Sequence, residues 1–177
     1  MTEEVDPSTR QSDSSSLAVA NGQHLVLSVS WFGFIVRWAL RQALRHPYYL
    51  ALVTIRATRE HVGWTVDVGS TALTDVAEVV GPTIRETDFI GELDDGRLGL
   101  LLPHADDTAA LRIIQRFGET LGDVQFSVPL AFAIGSACCP TNGIDMRALV
   151  VHAISHPVLN VRARPPVFAA PPLLMTV

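Results

Sequence analysis

The spacing of apolar residues in the first half of the chain predicts a helix, a strand and a second helix. Residues 31–45 carry apolar side chains at helical spacing, and this segment ends just before Pro47. Residues 48–55 form a continuous apolar run, which is typical of a central strand that is buried on both faces. Residues 70–84 place apolar positions at i, i+3, i+4 and i+7, so we expect the second helix there.

A β-hairpin is predicted in the middle of the chain. Two short apolar runs, residues 89–93 and 97–102, flank the sequence Asp94-Asp95-Gly96. An Asp-Gly pair between apolar runs is a strong hairpin signal because the glycine readily adopts a positive φ.

The second half of the chain is predicted to contain four further elements. A helix capped by Asp106 or Asp107 precedes a strand over residues 126–137. A helix from Asp145 to residue 155 then precedes a final strand over residues 158–163. Pro129 cannot donate a ladder hydrogen bond, so it indicates an edge strand or a bulge. The order of elements predicts an α+β fold, a central mostly antiparallel sheet flanked by helices, rather than a series of parallel βαβ units.

The length of 177 residues suits one domain with short tails. We expect a disordered polar tail over residues 1–22, a domain over residues 23–163 and a Pro-rich tail over residues 164–177. The tail at the start has no cationic region of a secretory signal, so a cytoplasmic location is expected.

The most apolar segment, residues 25–40, is too short to span a bilayer and contains Arg37. A helix packed in the core is the favoured interpretation, with membrane-surface attachment or a dimer contact as alternatives. Core or dimer packing is also favoured over base stacking for its aromatic side chains, Trp31, Phe32, Phe34 and Trp38.

The net charge, the cysteines and the histidines exclude some classes of function. A net charge of −5 argues against general binding to nucleic acid. The adjacent Cys138 and Cys139 suit neither a disulfide framework nor a zinc site, and we expect them to be buried and reduced. His152 and His156 are four residues apart, but a proline follows at once. We therefore expect no metal and no cofactor.

Four segments in the right order resemble the GGDEF (diguanylate cyclase) family, namely LTDVAEVV at residues 73–80, DFIGELDDGRLGLLLP at 88–103, FAIGSA at 132–137 and ALVVHA at 148–153. The similarity covers residues 31–155. It implies a nucleotidyl-cyclase-like sheet with a ferredoxin-like core, and a role in bacterial signalling by cyclic di-GMP.

The departures from the family imply a loss of catalysis. The GGDEF turn reads Asp94 to Leu98, DDGRL, so Arg97 replaces an acidic metal ligand. The family's metal-binding DxD falls on Val53 and Ile55. The Lys, Asn and Asp of its FKxIND segment fall on residues 58, 61 and 62, which are Thr, His and Val. Phosphoryl transfer depends on metal ions that neutralise developing charge, so we predict no enzymatic activity.

A second motif of the family is retained in this sequence. Arg85-Glu86-Thr87-Asp88 matches the product-binding RxxD, at the family's distance from the turn. The resemblance places a further ligand-binding arginine at Arg116. Arginine forks and a carboxylate complement guanine and phosphate, so the predicted ligand is cyclic di-GMP. Alternatively, Asp88 caps a turn and Arg116 is a solvated helix residue.

Two functions therefore remain open at the level of sequence. The first is a cyclic di-GMP receptor that passes a signal to a protein partner, or acts as a homodimer. The second is a ligand-free scaffold or assembly protein that has kept only the fold. An enzyme of altered chemistry is disfavoured, and so is contact with a membrane.

Overall fold

One seven-stranded sheet organises the part of the chain that the computed structural model describes, residues 25–61 and 64–165. Its strands are β1 (Val26–Leu27), β2 (Leu50–His61), β3 (Trp64–Asp67), β4 (Phe89–Glu92), β5 (Leu98–Pro103), β6 (Leu130–Cys139) and β7 (Pro157–Arg162). The strand order is β1-β4-β5-β2-β6-β7, and β3 pairs with β2. β1 is parallel to β4 and the other pairs are antiparallel. The predicted α+β fold is confirmed.

Four α-helices flank the sheet, namely α1 (Val29–Arg45), α2 (Ser70–Val80), α3 (Asp107–Asp123) and α4 (Met146–Ser155). Asp106 caps α3 by accepting from the N–H of Ala109, and Asp145 caps α4 by accepting from that of Ala148. The second predicted helix is shorter than expected. It gives way to a 3₁₀ turn at Gly81–Thr83, because Pro82 cannot continue the α-helical hydrogen bonding.

The central strand is longer than the apolar run that predicts it. β2 continues past Ile55 to His61 and folds back onto β3, which the sequence analysis misses. Polar residues occupy this extension, so the pattern gives no strand signal. Pairing on both sides makes it a strand, since Arg59 lies opposite Leu130 of β6 and opposite Val66 of β3.

The interpretation of Pro129 is wrong. β6 begins one residue later, at Leu130, and pairs with β2 on one side and β7 on the other. The missing N–H of Pro129 therefore lies outside the ladder, and the proline marks the start of an interior strand. The irregularity in this strand lies between Ile134 and Gly135, where it faces β7.

Hydrophobic cores lie on both faces of the sheet. α2 and α3 cover one face, where Val53 and Ile55 of β2 are wholly buried. α1 and α4 cover the other face and bury Phe32 and Leu149 against it. Gly135 allows the close approach of α4 to β6, because a Cβ at this position would overlap the carbonyl oxygen of Ala153.

The apolar segment at residues 25–40 forms β1 and most of α1, and it is only partly core. Phe32 is fully buried, whereas the other three aromatic side chains of this helix, Trp31, Phe34 and Trp38, lie at the surface. The prediction of core packing is therefore correct for only one of the four aromatic side chains, Phe32. Within the described ranges, no helix is both long enough and apolar enough to span a bilayer.

The expected burial of the two cysteines is confirmed, since Cys138 and Cys139 lie buried at the end of β6. The final predicted strand is β7. The tail predicted over residues 1–22 lies outside the described residues, and so does the second predicted tail beyond Pro165. Arg164 is described and forms an isolated bridge with Gln125.

Candidate functional site

The segment Arg85-Glu86-Thr87-Asp88, which we predict to be a ligand-binding motif, forms a tight turn between the 3₁₀ segment and β4. The backbone N–H of Arg85 donates to Oδ2 of Asp88 at 2.9 Å, and the N–H of Asp88 donates to the carbonyl of Arg85 at 3.0 Å. Asp88 is 6% exposed, whereas Arg85 lies at the surface. The Asp88 carboxylate therefore stabilises the turn, and the turn exposes the Arg85 side chain to solvent. Turn capping is the role that the sequence analysis gave as the alternative for Asp88.

Arg116 lies at the same corner of the molecule. Its Nη2 donates a hydrogen bond from α3 to the carbonyl oxygen of Thr83. Thr83 is two residues before Arg85 and ends the 3₁₀ turn. The hydroxyl of Thr83 donates to the carbonyl of Val80 at 2.6 Å. The structure thus brings all three predicted ligand-binding residues, Arg85, Asp88 and Arg116, to one surface corner beside α3.

The hairpin turn between β4 and β5 contains an ion pair between Arg97 and Asp95, while Asp94 is exposed. Nε of Arg97 lies 2.9 Å from Oδ2 of Asp95, and the Arg97 N–H donates to Oδ1 at 3.2 Å. Gly96 has φ 76°, as the Asp-Gly signal predicts. The N–H of Leu93 closes the turn by donating to the carbonyl of Arg97 at 2.8 Å.

A second ion pair lies beside this turn. Arg56 of β2 forms a two-pronged contact with Asp67 of β3, at 2.6 Å from Nε and 3.1 Å from Nη2. This hydrogen bonding lowers the pKa of Asp67, and Arg97 acts on it in the same direction. Ile55 of β2 lies opposite Leu98, the first residue of β5. The next residue of β2, Arg56, therefore lies beside the hairpin turn that precedes β5. Two arginines and two aspartates therefore form one neutral cluster at this end of the sheet.

Two residues of β2, Val53 and Ile55, which the resemblance aligns with metal ligands, do not fit a divalent cation. Val53 and Ile55 are buried in the core beneath α2 and α3 and offer no oxygen ligand. Thr58 uses its hydroxyl to donate to the carbonyl of Ala131, and residue 62 lies outside the described ranges. Across residues 25–61 and 64–165, no group of three or more His, Cys, Asp or Glu side chains is arranged to hold a metal ion.

Sequence reasoning missed the contacts that arrange these sites. Arg116 and Thr83 are 33 residues apart, and no periodicity connects them. Arg56 and Asp67 lie on a hairpin that the apolar pattern does not predict. Opposite charges separated by 11 residues across a short turn are the one signal that indicates this pair.

Comparison with protein-family models gives no match, and neither does comparison with curated proteins. Comparison with solved structures does identify the fold. The GGDEF domain of YfiN from Pseudomonas aeruginosa matches with a TM-score of 0.58 and 22% identity, over 73% of this chain and 86% of that one.

Two further structural neighbours have the same fold. The GGDEF domain of DgcB from Caulobacter crescentus, in complex with c-di-GMP, matches with a TM-score of 0.58 and 12% identity, over 78% of this chain and 84% of that one. The diguanylate cyclase SiaD of Pseudomonas aeruginosa, in complex with its activator SiaC, matches with a TM-score of 0.60 and 16% identity, over 73% of this chain and 53% of that one. The chain therefore has the fold of GGDEF domains.

Proposed function

We propose that this chain is a catalytically inactive GGDEF-fold domain that binds cyclic di-GMP and acts as a receptor in bacterial signalling. The ligand site is the corner formed by Arg85, Asp88 and Arg116. The observation that supports it most is the hydrogen bond from Arg116 to the carbonyl of Thr83, which joins α3 to the segment leading into the motif. A motif inherited without use needs no second arginine beside it.

The residue types at this corner match the chemistry of the ligand. Arg85 presents a planar fork that suits either the O6/N7 edge of guanine or a phosphate. Arg116 adds a second cation for the phosphates. Asp88 is buried and contributes to the site by holding the turn that presents Arg85.

The proposal of inactivity rests on the donor groups at the family's metal positions. Phosphoryl transfer requires metal ions held by carboxylates close to the phosphates. Val53 and Ile55 are buried apolar side chains, and Arg97 brings a positive charge to the third position. Asp95, a carboxylate of the same hairpin turn, is already paired with Arg97.

Thermal denaturation with and without ligand tests the proposal. Cyclic di-GMP should raise the melting temperature in a concentration-dependent way, because a ligand that binds only the folded state stabilises it by mass action. GTP with magnesium should produce a much smaller change. An unchanged melting temperature at saturating cyclic di-GMP would contradict the receptor function.

A second function, that of a ligand-free interaction protein, is favoured by one observation. Three aromatic side chains of α1 are about half exposed, and clustered apolar side chains at a surface mark contacts with other molecules. The structural neighbour SiaD is bound to an activator protein. If cyclic di-GMP leaves the chain unaffected while this face is needed for function, the scaffold is the better description.

A further inference from the structure

The outward side of α1 carries an aromatic stripe. Trp31, Phe34 and Trp38 follow one another at i, i+3 and i+7, so they lie on one side of the helix. Their exposed fractions are 49%, 52% and 51%. The rings of Trp31 and Phe34 meet edge to face, with their centroids 6.1 Å apart. The opposite side of the same helix buries Phe32 in the core. The three rings of the stripe are therefore not needed to pack the helix against the sheet.

Positive charge continues this stripe toward the end of the helix. Arg41 and Arg45 come three and seven residues after Trp38, in line with the rings, and Arg37 lies next to them. All three arginines are exposed, and α1 contains no acidic residue. The face is therefore basic in a chain whose net charge is −5.

We propose that the aromatic–arginine face, defined as Trp31, Phe34, Trp38, Arg41 and Arg45, binds the surface of an anionic lipid bilayer. Helix α1 would lie in the plane of the membrane. The three rings would enter the boundary between headgroups and acyl chains, where tryptophan in particular is favoured. The arginines bind lipid phosphates through their planar forks, aided by the negative surface potential of the membrane.

Shape and charge both favour a bilayer over a protein. The rings form a ridge, and they do not line the cavities beside Leu44 and beside Gly33 that border α1. A ridge of this kind inserts readily into the soft interface of a bilayer. A second copy of this chain is disfavoured, because pairing two such faces would bring four arginines together without a carboxylate between them.

The face is separate from the proposed ligand site. α1 packs with α4 on one side of the sheet, and the RxxD corner lies on the other side with α2 and α3. A chain lying on a membrane through α1 would therefore keep Arg85 and Arg116 open to solvent. This inference does not depend on cyclic di-GMP binding, and either one can fail without the other.

Sedimentation of the full chain with lipid vesicles tests the inference. We expect binding to phosphatidylcholine vesicles that contain phosphatidylserine, little binding to phosphatidylcholine alone, and loss of binding at high salt. Replacing Arg41 and Arg45 together by glutamine should lower the partition coefficient by about fivefold for each arginine. Trp38→Ser should lower it by about tenfold or more.

Matched controls lie elsewhere on the surface. Trp64→Ser removes a tryptophan that is 77% exposed on β3, and Arg112→Gln removes an exposed arginine of α3. Both should bind vesicles like the parent chain. Trp64→Ser also leaves Trp31 and Trp38 as the two fluorescent reporters, whose emission should shift to the blue on vesicle addition.

Three results would overturn the inference. The first is an absence of binding to anionic vesicles by a chain whose circular dichroism shows it to be folded. The second is binding that is unchanged by loss of the arginines and of Trp38. The third is a dimer that Trp38→Ser dissociates, without any vesicle binding, which would make the face a contact between copies.

Discussion

The guanidinium of Arg116 on α3 donates a hydrogen bond to the carbonyl oxygen of Thr83, at the end of the 3₁₀ turn. This contact ties a helix that packs over the sheet to the segment that leads into Arg85 and Asp88. The turn itself is closed by hydrogen bonds between Arg85 and Asp88 in both directions. The backbone that carries Arg85 is therefore fixed by Asp88 and lies next to a segment tied to α3.

The chain is predicted to be catalytically silent. Incubation with GTP and magnesium or manganese should yield no cyclic di-GMP above a buffer blank, because Val53 and Arg97 occupy positions where carboxylates would have to bind metal. Chromatography of the nucleotides measures this directly. Metal-dependent product that disappears in Asp95→Ala would show that the hairpin carboxylates serve catalysis after all.

Asp88 is predicted to stabilise the fold even without ligand. Asp88→Ala leaves the N–H of Arg85 without its acceptor beside a buried position, so the free energy of unfolding should fall by about 1–3 kcal/mol. Asp88→Asn keeps a side-chain oxygen and should cost less. Urea denaturation of both variants gives the comparison, and equal stability of Asp88→Ala and the parent would remove the turn role.

Gly135 is predicted to be intolerant of a side chain. Gly135→Ala would force a Cβ into the carbonyl oxygen of Ala153, so α4 must move away from β6, at a cost of about 2 kcal/mol or more. Gly69→Ala is the control for steric overlap, since a Cβ there meets nothing within 4 Å. The expected result in denaturant is a large loss for the first variant and only the smaller loss of an N-cap glycine of α2 for the second.

The thiols are predicted to be unreactive in the native protein. Burial, followed by the neighbouring Asp107 carboxylate, raises the pKa of Cys138, and burial raises that of Cys139. Little thiolate therefore exists at neutral pH, and labelling by an aromatic disulfide reagent should be slow until denaturant is added. Fast labelling of the folded chain would contradict this.

The same pKa shift has a consequence for stability. A thiol whose folded pKa is raised favours the folded state below its unfolded pKa, and this contribution falls as the pH rises above about 8.5. The melting temperature should therefore decline in alkali, and the decline should be smaller in Cys138→Ala.

The regular elements could be predicted from the sequence because apolar spacing is a local property. The periodicity of α3, the caps at Asp106 and Asp145 and the Asp-Gly turn are all encoded within a few residues. The extension of β2 and the strand β3 could not be predicted in this way. Their residues are polar, and they are ordered by pairing with strands distant in sequence.

The residues of the candidate site could be proposed from the sequence, and their contacts could not be. The spacing of Arg85, Asp88 and Arg116 came from a family pattern, and the structure brings these three residues together. The burial of Asp88 within the turn and the engagement of Arg116 by Thr83 depend on how α3 packs over the 3₁₀ segment. Tertiary packing of this kind leaves no signal in residue spacing.

Calorimetric titration of the full chain with cyclic di-GMP tests the receptor function most directly. We expect saturable binding in the micromolar range or tighter, which Arg85→Ala weakens by about 5- to 150-fold, the loss typical of one arginine–guanine contact. Arg116→Ala should weaken binding less, while Arg112→Ala on the same helix and Asp95→Ala in the hairpin should leave it unchanged. A flat titration at high protein concentration, or binding that survives Arg85→Ala and disappears in Asp95→Ala, would show that this corner is not a cyclic di-GMP site.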